Sequence, residues 1–441
     1  MKLKSLQIQC YRGIHEMQLD FHPQMNVLVG VNGAGKSTVL DALSIMLSRV
    51  VSLIRSGKNA GKDIAPFDIS AGKTDVRLGA ILEDDGVHFG WGLAKSLKGR
   101  RKASRSDLLP EGVENVKVLT ERIRQKIDEA QENCSIPVLI YYQANRIALN
   151  FPRFVHTDRD FSLLSVYHDA LSCRADYRVL LEWFRERENA EDREFKRLVM
   201  EARSESGTNS DAVQFVAEFH DPQLQAVRNA WKLFMPEISE FTIMSNPLRL
   251  EAKKNGVSFR IDQLSDGEKS LLALSGDIAR RLAIANPTRS NPLEGEAIIL
   301  VDEIDLHFHP KRQRTILQQL MEVFPHCQFI VATHSPQILG RVHAESIFLL
   351  VENDEGVIVL ERPEESFGMT TNEILEDIME VPSRDPDEEE KLLRLFELIE
   401  RRKLVEAKAL VEEIRNYRRS EPKLLAADAR IQCLENFMKE E

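Results

Sequence analysis

The stretch Gly30-Val31-Asn32-Gly33-Ala34-Gly35-Lys36-Ser37-Thr38 holds three glycines of a tight loop, a lysine and two hydroxyls. It follows the apolar run Met25 to Val29 and opens a periodic segment through Val39, Leu40, Leu43, Ile45, Met46 and Leu47. Strand, glycine-rich loop and helix in that order make a phosphate cradle. Small residues let backbone N–H groups curl around an anion, and the new helix adds its positive end. Asn32, Gly33, Ala34, Gly35 and Thr38 are the expected cradle. Lys36 should reach the β- and γ-phosphates, and the Ser37 hydroxyl should ligate Mg²⁺.

Further along, two apolar runs deliver matching groups. Ala297 to Val301 ends in Asp302-Glu303, which suits Mg²⁺ coordination by Asp302 and water activation by Glu303. Phe329 to Thr333 ends in His334, an imidazole placed to sense a γ-phosphate. A third run, Pro137 to Tyr142, ends in Gln143, whose amide can reach the metal or the attacking water. Leu264-Ser265-Asp266-Gly267-Glu268-Lys269 opens a helix, and Ser and Gly at a helix start make a second anion site. Arg12, in the turn Tyr11-Arg12-Gly13-Ile14, is either a nucleotide contact or a surface cation. His307 and His309 lack a third metal ligand at a workable spacing.

These groups need strands to present them. Residues 3 to 30 read as three strands, and alternation resumes from Val76 to Trp91. Residues 160 to 235 read as a charged helical insertion without sustained heptads, so long coiled-coil arms are not expected. After a hairpin around Asn353 to Gly356, amphipathic periodicity from Leu392 to Ile414 predicts two or three helices, as a cap or as a docking surface. Asp385-Pro386-Asp387 reads as a helix start rather than a nuclease carboxylate pair. The run Lys95 to Arg105 is the most basic stretch. It is either a nucleic-acid contact or a solvated loop, and the lack of aromatics favours the loop.

At 441 residues the chain exceeds one usual core, so several lobes are expected. The boundaries read as an N-terminal lobe over 1–150, a helical insertion over 151–255, a C-terminal lobe over 256–350 and a tail over 351–441. A formal charge of −11 argues against a general polyanion coat, and five scattered cysteines fit neither a disulfide framework nor a zinc hook. No apolar run reads as a membrane span and the start alternates like a strand, so a cytoplasmic protein without a membrane partner is expected.

GVNGAGKST, LSDGEK, AIILVDEIDLHFHP and FIVATHSPQIL resemble the Walker A, signature, Walker B with D-loop, and histidine switch of ABC-type ATPases. The start, LQIQCYRGI, resembles the RecF/SMC-like and OLD-like branch. The resemblance implies an α/β, P-loop ATPase head with an antiparallel β subdomain, a helical insertion and a C-terminal helical extension. It implies ATP and Mg²⁺ as cofactors, and a homodimer in which Ser265, Gly267 and Glu268 of one subunit complete the site built on Lys36, Asp302 and Glu303 of the other. Asp266 and Glu268 stand where many relatives carry Gly and Gln. Phosphate binding should survive that change, and the hydrolysis rate is where it would register.

More narrowly, YYQANR, WFRERE and the segment Ser366 to Asp385 are similar to the PtuA ATPases of Septu-type anti-phage systems. That similarity implies dimers that stack into a hexamer, an HNH nuclease partner of the PtuB kind, and DNA engaged directly or through that partner. The competing reading is a RecF/SMC-like repair ATPase that clamps DNA itself.

Overall fold

The computed structural model describes residues 1–97, 112–131, 133–147, 160–171, 173–175, 177–206, 220–245, 248–353, 356–382, 385–418 and 422–440. Most of the basic run, from Lys98 to Arg105, lies outside the described residues, as does the tip of the 353–356 turn. The chain divides into two compact units, Met1–Met369 and Thr370–Glu441.

The first unit is built on a seven-stranded sheet in the order β14-β13-β3-β12-β11-β6-β7. Its strands are β3 (Met25–Val29), β6 (Val138–Ile147), β7 (Cys173–Ala175), β11 (Ala297–Val301), β12 (Cys327–Ala332), β13 (Ile347–Glu352) and β14 (Ile358–Glu361). All neighbours pair in parallel except β13 with β14. Every residue of β3, β11 and β12 is buried. Strands covered on both faces read as continuous apolar runs, which is why these three are conspicuous in the sequence. A boundary at 350/351 would cut through β13. The hairpin belongs to this sheet because β13 pairs with β3 over Ile347 to Leu349, beside the phosphate loop.

A four-stranded antiparallel sheet, β2-β1-β4-β5, holds β1 (Lys2–Tyr11), β2 (Ile14–Asp20), β4 (Asp75–Asp84) and β5 (Val87–Ser96). Here burial alternates, as expected where one face meets the core. Helix α1 (Lys36–Ser56) follows the phosphate loop, and α2 (Glu114–Glu129) packs against it. Contrary to the expectation that no segment is apolar enough to span a membrane, α1 meets the length and hydropathy of a span. It is mostly buried, 78% over its most apolar window, so its apolar faces are the core of the head.

The insertion holds α3 (Tyr177–Ser206) and α4 (Pro222–Phe234), the latter capped by the Asp221 carboxylate. It is not helical throughout. A three-stranded antiparallel sheet, β8 (Ile238–Ser245), β9 (Leu248–Lys254) and β10 (Val257–Arg260), closes the segment. Leu250 and Ala252 alternate inward among charged residues, and Asn255-Gly256, both at positive φ, turn β9 into β10. Helix α5 (Asp266–Ala285) then returns through the unit's core, and α6 (Ile316–Val323) lies between β11 and β12 in the chain.

The second unit is a three-helix bundle of α7 (Pro386–Glu400), α8 (Leu404–Tyr417) and α9 (Pro422–Glu440). Leu395, Ile399, Ala407, Ile414, Ala427 and Ile431 share its core. Leu393, in the same periodic pattern, points out and is 60% exposed. Asp385 caps α7 through Asp387 N, the helix start its sequence suggests.

Candidate nucleotide site

Four adjacent parallel strands, β3, β12, β11 and β6, end side by side, and ligand groups of open α/β sheets gather at such carboxyl ends. The register aligns Leu28 with Ala332, and Val301 with both Val331 and Tyr142. The residues just beyond are therefore neighbours: the phosphate loop, His334, Asp302-Glu303 and Gln143.

The loop is shaped by Gly35, at φ 91°, which caps α1 with no side-chain hydrogen bond. No acidic residue occupies the first turn of α1. A 21-residue helix thus presents its positive end with neither a side-chain cap nor a compensating carboxylate, the arrangement that receives an anion. Lys36 is 6% exposed and donates to the main-chain carbonyls of Gly30 and Val31 at 2.9 and 3.0 Å. Burial pushes its ammonium down, against the pull of Asp302, Glu303 and Asp305. Val31, Asn32 and Gly33 are exposed, while Ala34 is buried under the loop and Thr38 is half-buried.

The Ser37 hydroxyl donates to an Asp302 carboxylate oxygen at 2.8 Å, across 265 residues of sequence. Asp302 is buried, and its own N–H is held by Tyr142 O at 2.8 Å, which fixes β11 to the strand carrying Gln143. Burial raises the Asp302 carboxyl, partly offset by the Ser37 hydrogen bond, and Asp41 adds to the rise. Glu303 sits at φ 47°, a left-handed conformation that costs a non-glycine residue energy and concentrates at functional sites. His334 is half-buried. Burial lowers its pKa, Lys36 lowers it further, and Asp305, Glu303 and Asp302 oppose, so the imidazole and these four groups form one electrostatic cluster. A hydroxyl, two carboxylates, a buried lysine and an uncapped helix start fit a nucleotide phosphate and its Mg²⁺.

Several supporting residues escape sequence reading. Asp305 accepts from the Thr333 hydroxyl, and Gln313 donates to the carbonyls of Asp305 and Phe308 while accepting from Ser335, so the D-loop and the His334 strand end are braced together. Arg12, at φ 49°, is not an isolated surface cation. It binds Asp41 at 2.7 Å and Asp68 at 2.9 Å, and Tyr141 donates to Asp41 at 3.2 Å. Asp41 lies one helical turn beyond Ser37, and that spacing is the signal by which it could have been found.

The signature is organised separately. Ser265 caps α5, and its Oγ and N–H both donate to Glu268, at 2.7 and 3.0 Å. Lys254, the last residue of β9, binds the other Glu268 oxygen at 2.7 Å. Burial works against the Glu268 anion, yet Lys254 and the Ser265 donors outweigh it and hold its carboxyl below the usual range. Gly267 lies against the D-loop, where a Cβ would come within 2.5 Å of His307 O. Deeper in α5, Asp277 is bound by Arg280, Arg281 and the Tyr142 hydroxyl, all buried, which ties the signature helix to β6. Among the described residues no cluster of three His, Cys, Asp or Glu is arranged as a metal site by itself, and His309 instead caps a short helix through Lys311 N.

Two family models match the chain: "AAA ATPase domain" over residues 1–85 and "AAA domain, putative AbiEii toxin, Type IV TA system" over 151–340. The Retron Vc95 probable ATPase of Vibrio cholerae is 30% identical, covering 91% of this chain and 83% of its own. The Retron Ec83 probable ATPase of Escherichia coli is 28% identical over 90% and 79%. The Septu protein PtuA of Bacillus thuringiensis is 23% identical over 86% and 84%.

Proposed function

The chain belongs to the ABC-type ATPase family of the retron Vc95 and Ec83 probable ATPases, and from that membership we propose that it is the ATP-driven regulatory subunit of a cytoplasmic anti-phage complex. The observation that carries the reading is the Ser37–Asp302 hydrogen bond, which joins the loop that would hold phosphate to the strand end that would hold metal. Lys36 and the cradle from Asn32 to Thr38 bind the polyphosphate, and Arg12 flanks them. Ser37, Asp302 and Gln143 hold Mg²⁺, which when bound screens the phosphate charge and polarises it toward attack. Glu303 orients and deprotonates the water, and His334 donates a ring N–H to the γ-phosphate.

Ser265 and Gly267 close the site of a second copy, with Glu268 bracing Ser265 from behind, so nucleotide state sets dimer closure. The dimer gates a companion nuclease of HNH type, as the likeness to PtuA suggests, and this chain has no nuclease activity of its own. Dimers stacking into a hexamer complete the assembly.

The test is mass by light scattering, with and without the adjacent-gene product, in ATP and without nucleotide. Glu303→Gln should bind ATP and stay associated, and Lys36→Ala should lose binding. A protomer that ignores its neighbour and clamps duplex DNA in ATP would replace this reading with the repair-type one. Normal hydrolysis by Glu303→Gln would overturn the assignment of the base.

A further inference from the structure

The signature presents an electrostatic problem. An anion-binding helix start here carries two carboxylates, Asp266 and Glu268, in its first turn. Each has a lysine. Asp266 meets Lys269 within the same turn at 3.4 Å, while Glu268 meets Lys254 from another element at 2.7 Å. The Lys254 pair is the one coupled to the anion-binding hydroxyl, because the same Glu268 carboxylate takes both donors of Ser265. For the Ser265 hydroxyl to serve a phosphate it must leave Glu268, and that carboxylate then keeps Lys254 as its counter-charge.

We propose that Lys254 is a positioning residue of the signature. It neutralises Glu268 so that Ser265 and the start of α5 can receive the γ-phosphate held by a second copy of this chain. The inference rests on the composite-site reading above. Its place suits the role. Lys254 ends β9 at the Asn255-Gly256 turn, and its side chain is 39% exposed, so it can follow an incoming phosphate without unpacking a core. It reaches the signature from the sheet that immediately precedes α5 in the chain. Without it, an uncompensated carboxylate within a helical turn of the phosphate opposes closure, on the order of tenfold to a hundredfold in the ATP concentration needed.

The experiment uses the full chain in the Glu303→Gln background, comparing Lys254→Ala, Glu268→Gln and the double variant. Two quantities are read: binding of a fluorescent ATP analogue to dilute protein, and ATP-dependent association by analytical ultracentrifugation. Lys254→Ala should bind the analogue as before, since its own phosphate loop is untouched, but require ten- to a hundredfold more ATP to associate. Adding Glu268→Gln should restore association, which a merely structural loss would not allow. If Glu303→Gln alone fails to associate in ATP, the composite-site reading falls and this proposal with it. If it associates, and Lys254→Ala does so at the same ATP concentration or gains nothing from Glu268→Gln, the proposal alone is overturned.

Discussion

Asp277→Asn should destabilise the larger unit by about 3–5 kcal/mol, because it removes a buried carboxylate that compensates two buried guanidiniums. Arg280 reaches Asp277 Oδ1 through Nε and Nη2 at 3.1 and 2.5 Å, and Arg281 reaches Oδ2 through Nε at 2.8 Å. All three residues are under 5% exposed. Arg281 retains carbonyls of Val166 and His168, so the larger share of the loss falls on Arg280. With about 2.1 cal/mol/K of unfolding entropy per residue, a unit spanning Met1–Met369 gains about 0.8 kcal/mol/K on melting. A loss of about 4 kcal/mol therefore lowers Tm by about 5 °C. Tyr142→Phe deletes only the hydroxyl, 2.8 Å from Oδ2, and should cost about 1 kcal/mol.

The acid limb supplies a second reading of the same group. Burial alone would raise the Asp277 carboxyl, but Arg281 and Arg280 hold it well below its ordinary value. Its contribution is complete above the unfolded pKa of about 3.9 and is lost as pH falls below that toward the folded value. Asp277→Asn should accordingly flatten the stability profile below about pH 4 while lying lower everywhere above it. The assays are differential scanning calorimetry of wild type, Asp277→Asn, Tyr142→Phe and Asp277→Asn/Arg280→Met, with the last recovering part of the loss. An Asp277→Asn shift no larger than that of Tyr142→Phe, or no recovery on removing Arg280, would refute the account of a charge-compensated network.

Other outcomes follow from single contacts. Gly267→Ala drives a Cβ to within 2.5 Å of the His307 carbonyl and should lower stability by about 1–3 kcal/mol, read by urea denaturation of nucleotide-free protein; an unchanged midpoint would refute the close packing of signature on D-loop. Arg12→Ala frees Asp41 and Asp68 together and should speed amide exchange in the 63–71 segment, with Arg12→Lys failing to restore protection because one ammonium cannot fork between two carboxylates. His334 titrates below its usual value through burial and Lys36, so as pH falls below about 6.5 the unfolded chain takes up that proton first and stability declines. His334→Asn should remove that part of the slope, and an NMR titration placing His334 at or above the free value would sink the argument. Leu395→Ala, at a fully buried bundle position, should cost the 370–441 unit about 2–5 kcal/mol, read by exchange protection within α7 to α9.

What could be read in advance, and what could not, follows from how far apart the interacting residues lie. Walker A, the Asp302-Glu303 pair and His334 were legible because each sits at the end of a fully buried parallel strand, where a short apolar run and the residue after it carry the whole signal. The sheet β8 to β10 was missed for the opposite reason. It is half-solvated and charge-rich, so two buried positions, Leu250 and Ala252, had to stand out among Arg249, Glu251, Lys253 and Lys254. The Asn255-Gly256 turn was the available signal.

Pairings across the chain were legible at neither end. Nothing around Lys254 marks it as the counter-ion of Glu268, and nothing around Tyr142 marks it as the partner of Asp277, 135 residues away. Yet these long-range contacts decide how the motifs act together. Asp302 N–H binds Tyr142 O, and the Tyr142 hydroxyl binds Asp277 on the signature helix. The strand end that would hold Mg²⁺ and the helix that would serve a second copy's phosphate are thus joined through one tyrosine. A displacement at Asp302 on nucleotide binding has a packed, hydrogen-bonded route to α5. In a two-copy assembly that route would let each site report its state to the other, which is what an ATP-dependent gate requires and what two independent phosphate loops would not provide.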